Sequence, residues 1–192
     1  VCWPERQLCL LSSGVETVRI GLSSADISEA SMTVDETYRI GSALGSKIQA
    51  RVVPILNSEY FLVGSSGRNG LVRWGLGNID EFAQVKFSGV PDFLDTQDLL
   101  VIQGSRFSLL SYTGFNQILL IDFIKMTELN RFNTPAGYLA SLEADISLGY
   151  FLVGHDATFS KFTYTDGSLL ATATSSYIIS AMIGVPGSNF VV

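Results

Sequence analysis

His155 and Asp156 are adjacent, so a base beside an orienting carboxylate is the first chemistry the sequence offers. Neighbouring residues on a strand point to opposite faces, however, and no Gly-x-Ser-x-Gly nucleophile elbow accompanies them. The pair reads better as polar residues at a strand end, with His155 in the place that Ser65 takes in a sister segment. His155 stays a ligand or interface candidate. Asp92, Asp95 and Asp98 offer the hard oxygens that calcium takes, but without the alternation of an EF-hand loop, and a solvated turn accounts for them better. Gly41 to Lys47 has three residues between its glycines where a phosphate-binding loop needs four, and is rejected as one. No catalytic, cofactor-binding or metal-ligating residue is assigned, and no cofactor is expected.

The two cysteines, Cys2 and Cys9, flank Pro4, Glu5 and Arg6, a spacing that reads as a turn between two short strands. They form either a disulfide across that hairpin, suited to an oxidising compartment, or a pair of reduced, partly buried thiols. A zinc site is disfavoured, because the spacing is not Cys-x-x-Cys and the sole histidine is remote. Trp3 and Trp74 are further ligand or interface candidates, and Tyr112, Phe115 and Tyr164 could join them if their strand ends converge. Packing between strands is the simpler role for each.

The elements that position these residues follow from composition. In 192 residues, 47% are hydrophobic and 16% charged, which excludes intrinsic disorder. The apolar runs are four to six residues long, far below the roughly 18 that a membrane-spanning helix needs. With 12 basic against 18 acidic residues the net charge is −6, the wrong sign for neutralising phosphates, so nucleic acid is not an expected partner.

Internal repetition organises the chain. Tyr-Phe-Leu-Val-Gly occurs at 60–64 and again at 150–154. Leu99 to Gly104 lies between the copies and Leu8 to Ser12 precedes them, giving a mean period of about 45 residues. A second marker agrees: Val18-Arg19-Ile20-Gly21-Leu22 matches Val72-Arg73-Trp74-Gly75-Leu76 at four of five positions. Phe107 to Tyr112 and Thr158 to Tyr164 take the same slot in the remaining units. Arg19 and Arg73 are thus repeat-equivalent, which argues for structure, since a site is usually unique. The runs are rich in Val, Ile, Leu, Phe and Tyr and end in turn signals such as Asn69-Gly70, Asp166-Gly167 and Pro186-Gly187, so they are strands. Ser23 to Ser46 and Thr127 to Ala136 resist that reading and are expected to be long loops, with a helical turn around Ser28 to Met32.

These units resemble the β-propeller superfamily of WD40-like and quinoprotein-like repeats, whose blades are four antiparallel strands in about 40 to 45 residues. Ser147 to Leu170 resembles a blade's second to fourth strands, and Val52 to Leu76 is similar. Trp74 falls where a WD repeat has its Trp, with Gly75 in place of Asp. The resemblance implies an all-β chain, one propeller domain or propeller fragment over 1–192, with blades beginning near 1, 48, 90, 138 and 177. Four periods and the start of a fifth predict part of a larger propeller, a compact four-bladed ring being the alternative.

The expected function is a non-catalytic scaffold for other proteins, partners that include the remainder of its own propeller or another chain. Alternatives are a propeller enzyme of hydrolase, lyase or quinoprotein type with its catalytic residues elsewhere, and a structural subunit of an extracellular assembly joined through strand edges. The expected location is extracellular or at the cell surface, with the cytoplasm as the alternative.

Overall fold

The computed structural model describes residues 2–3, 7–13, 16–23, 32–38, 51–64, 69–77, 82–102, 104–134, 139–145, 149–179 and 182. They fall into two compact units, Val1–Phe93 and Leu94–Val192. The first unit holds two four-stranded sheets: β1 (Cys2–Trp3), β2 (Leu8–Ser13), β3 (Glu16–Leu22) and β4 (Met32–Tyr38), then β5 (Arg51–Pro54), β6 (Tyr60–Gly64), β7 (Leu71–Gly75) and β8 (Phe82–Val85). The second unit repeats the plan with β9 (Thr96–Val101), β10 (Phe107–Tyr112), β11 (Gln117–Asp122) and β12 (Thr127–Asn133), followed by β13 (Leu139–Asp145), β14 (Tyr150–His155), β15 (Thr158–Thr163) and β16 (Leu169–Thr174). Every pairing is antiparallel between consecutive strands, so each sheet is an all-β meander of the propeller-blade type.

The continuous apolar runs become middle strands because those strands are covered on both faces. In β6, β10 and β11 every residue after the first is buried. Within the first unit Leu10 packs on Phe61, Val63, Val72, Trp74 and Leu76. Phe61 and Trp74 are directly paired across β6 and β7, with ring centroids 6.3 Å apart. Within the second unit, Ile102, Leu109, Ile118, Leu120 and Phe132 of one sheet meet Leu142, Phe151, Val153 and Phe162 of the next.

Three sequence expectations need correction. Leu99 to Gly104 aligns by repeat with the second strands, but Leu99, Leu100 and Val101 belong to β9, the first strand of its sheet. The second strand is β10, which the repeat spacing puts in the third slot. The cause is physical: β9, β10 and β11 each carry an apolar run, so hydrophobicity alone does not set their order. Once corrected, Tyr60, Phe107 and Tyr150 each open a second strand, 47 and 43 residues apart. The expected loops at Met32–Tyr38 and Thr127–Asn133 are strands β4 and β12. Both are outer strands, and β12 is polar because it alternates between water and its sheet, burying only Phe132. The Ser28 to Ser31 part of the expected helical turn, Gly41 to Lys47, Pro186-Gly187 and most of the fifth period lie outside the described residues.

Polar side chains lock the turns. The Asn69-Gly70 dipeptide predicts a tight hairpin turn, yet Asn69 is buried and reaches 18 residues ahead. Its Nδ2 donates to the carbonyls of Phe87 and, at 2.9 Å, Val90, while its Oδ1 accepts from the Phe87 N–H at 2.7 Å. In the turn after β15, Asp166 accepts from the Thr163 hydroxyl and from the Ser168 N–H and hydroxyl. These bonds hold its carboxyl down at about 2. Gly167 completes that turn at φ 70°, where an added Cβ would run into the Phe132 ring, so two constraints require glycine.

Asn69→Ala removes three hydrogen bonds to buried backbone groups and is expected to cost roughly 2–4 kcal/mol. Urea unfolding checks this, and an unchanged midpoint would show that the 87–90 turn does not depend on Asn69.

Candidate functional site

Cys9 is disulfide-bonded, and its backbone partner across β1 and β2 is Cys2, the other cysteine of the chain. The side chains of Cys2 and Trp3 lie outside the described residues. Trp74 is 3% exposed in the core between two sheets of the first unit, so its indole serves packing. Tyr112 is fully buried in its own sheet and Phe115 is half-buried in the following turn. The repeat-equivalent cations lie opposite leucines on the second strands: Arg19 opposite Leu10, Arg73 opposite Leu62, and Lys161 opposite Leu152. Arg19 donates from Nη1 to the Leu76 carbonyl of the neighbouring sheet in the first unit. Arg73 lies over the Tyr60 ring at 4.9 Å and Lys161 over the Tyr150 ring at 3.7 Å. All three hold sheet structure, as repeat equivalence implies.

His155 ends β14 and is 6% exposed. Only Asp156 and Ala157 separate it from β15, and Asp156 takes the left-handed backbone at φ 47° that closes this hairpin. Nε2 lies 2.8 Å from Ser160 Oγ in a hydrogen bond between directly adjoining strands. Ser160 is fully buried, so this His–Ser pair has no route to a substrate carbonyl and joins two strands. Burial pushes the imidazole below its ordinary value, outweighing the upward pull of Asp156.

The aspartate run separates on folding. Asp92 and Asp95 are exposed, whereas Asp98 sits in β9 and accepts the Leu142 N–H of β13 at 2.8 Å. One carboxylate thus ties the first strands of both sheets in the second unit. Among the described residues, no three His, Cys, Asp or Glu side chains converge as a metal group.

Sequence reasoning missed Asp122. It is fully buried at the end of β11, accepts the Ile124 and Lys125 N–H groups at 3.0 Å each, and pairs with Arg106 Nε at 3.1 Å. Ile121-Asp122 ends the third strand, the place a WD repeat gives its Trp-Asp pair. The signal was present and hidden by the strand-order error. Met126 closes the ensuing turn at φ 53°, the role that Gly167 plays in the next sheet.

A cleft of about 380 Å³ lies between the two sheets of the second unit. Ile102, Phe107 and Leu120 form one side, Gly149, Tyr164 and Thr165 the other. The half-buried Tyr164 stands 5.6 Å from the Phe151 ring, so the cleft floor continues into the shared core. Its lining is aromatic and aliphatic, with exposed Thr165 at the rim, which is chemistry for holding an apolar side chain.

No family model and no curated protein matches the chain. Solved structures do: a crystal structure of RRP9 WD40 repeats superposes with a TM-score of 0.68 at 10% identity, covering 88% of this chain and 48% of that one. The chain has a WD40-like β-propeller fold built from four-stranded antiparallel blades. It spans about half the length of that structure. With 879 solved chains matching, the fold is shared too widely to select a function by itself.

The His155 environment makes a signed prediction. The folded state favours the neutral ring while the unfolded chain takes up a proton near 6.5, so stability from this group is complete above pH 6.5 and is lost as pH falls below it. The wild-type melting temperature should therefore fall more steeply from pH 7 to pH 5 than that of His155→Gln. Parallel curves would mean that His155 is not held neutral.

Proposed function

We propose that this chain is a non-catalytic interaction scaffold that grips an extended segment of another protein by an apolar side chain. The cleft between β9–β12 and β13–β16 is the docking site. The observation that carries this reading is the contrast within the second unit. Asp98, Asp122 and His155 are each engaged in joining strands or turns, while the open space is lined by Ile102, Phe107, Leu120 and Tyr164. Surfaces that bind rather than react offer apolar pockets with few polar groups for orientation. The Cys9 disulfide supports an oxidising setting, outside the cell or at its surface. No helix among the described residues is long and apolar enough to cross a membrane.

The test is selection from a random peptide display library, followed by titration of the recovered peptides. Thr165→Arg places a long charged side chain at the rim without touching the core, and should weaken binding by about tenfold or more, or ~1.4 kcal/mol. Recovered peptides should share one large apolar residue. Failure to recover binders, or equal binding by the variant, would remove the cleft as the docking site.

A further inference from the structure

We propose that the segment held in the cleft carries a carboxylate one or two residues from its apolar anchor and that Arg106 receives it, a reading that rests on the cleft as the docking site. Arg106 immediately precedes Phe107, which lines the cleft, and its guanidinium carbon stands 5.4 Å from the centre of that ring. Its side chain is 55% exposed. Stacking on Phe107 keeps the cation beside the apolar lining and open to solvent.

The arginine is held in place. Its backbone lies in a turn fixed by Ser105, whose N–H and hydroxyl donate to the Ile102 carbonyl at 3.2 and 2.7 Å and whose Oγ accepts the Phe107 N–H at 3.0 Å. The Arg106 carbonyl accepts the Phe123 N–H at 3.0 Å, and Nε pairs with buried Asp122 at 3.1 Å. Nη1 and Nη2 make no hydrogen bond among the described residues. A guanidinium is a planar fork of donors, and its Nη edge matches the two oxygens of a carboxylate. An extended chain advances about 3.3 Å per residue, so an acid one or two residues from an anchor on Phe107 comes within reach.

The four sheets differ at this position. The residue before each second strand is Gln7, Glu59, Arg106 and Gly149 in turn, and each carbonyl accepts an N–H at the end of the third strand, from Leu22, Leu76, Phe123 and Tyr164. The backbone bond recurs in every sheet, whereas the cation occurs once. Repeat-equivalent features serve structure, and a side chain found in one unit alone is the mark of a site. Across the cleft the equivalent Gly149 lines the other side, and a Cβ added there would meet nothing within 4 Å. Asp166, next to Thr165 at the rim, is taken up by Thr163 and Ser168 of its own turn. In a chain of net charge −6, a cation with open donors beside an apolar cleft selects an acidic partner.

A peptide display library with Leu fixed at the centre and random flanks, panned on the whole chain, tests this. Recovered sequences should be enriched in Asp or Glu one or two positions from the Leu. Synthetic pairs exchanging that acid for its amide should differ about fivefold or more in Kd, and less in high salt. Arg106→Lys keeps a cation for Asp122 but removes the Nη edge, and should bring each pair within about twofold. Lys125→Gln removes an exposed charge from the adjoining turn and should leave the preference intact. Recovered sequences without acid enrichment, or pairs of equal affinity on the wild-type protein, would overturn the proposal while leaving the cleft as an apolar site. So would a preference that survives Arg106→Lys or disappears in Lys125→Gln. Binding that is unchanged when the central Leu becomes Ala would instead remove the cleft as the docking site, and this proposal with it.

Discussion

Phe151 joins the two sheets of the second unit. Its ring lies 5.2 Å from Phe132 of the neighbouring sheet and 5.4 Å from Phe162, its own cross-strand partner. Such offset aromatic contacts each add ~0.5–1.5 kcal/mol beyond the area they bury. Their larger effect is geometric, because a middle strand covered on both faces tolerates no change of side-chain volume on either. Gly167 must yield space to Phe132, and Tyr164 is held where it closes one side of the cleft. Sheet-to-sheet packing therefore fixes where open space can exist.

Polar groups follow from the same burial. A polar side chain buried in such a layer must find protein partners, and backbone amides supply them. Asp122 accepts two of them after β11, and Asp98 accepts one from β13. Asn69 performs the same task in the first unit. The residues that look most chemical in the sequence are the ones burial recruits first.

The architecture was legible where burial is symmetrical. Tyr60–Gly64 and Tyr150–His155 stand out because two covered faces demand a continuous apolar run, and the duplicated pentapeptide gave the period. Outer strands were illegible for the converse reason. Half of Thr127–Asn133 faces water, so its polar residues imitate a loop. Three apolar strands in succession then allowed a slip of one strand in the third sheet, and the slip concealed Asp122. The cleft was not readable at all. Its lining comes from two sheets 47 residues apart in chain position, Ile102 and Gly149, and each residue alone resembles ordinary core.

The twin pentapeptides also bear on how the chain reaches its native state. β6 and β14 present the same five side chains, and each is opposed by a cation that lies over its leading tyrosine ring. During folding either strand is an acceptable partner for β7 or β15. Loop closure discriminates between them: two residues separate β14 from β15, six separate β6 from β7, and the crossed pairings must close far longer loops. Chain connectivity, more than side-chain chemistry, thus keeps the two sheets from exchanging strands.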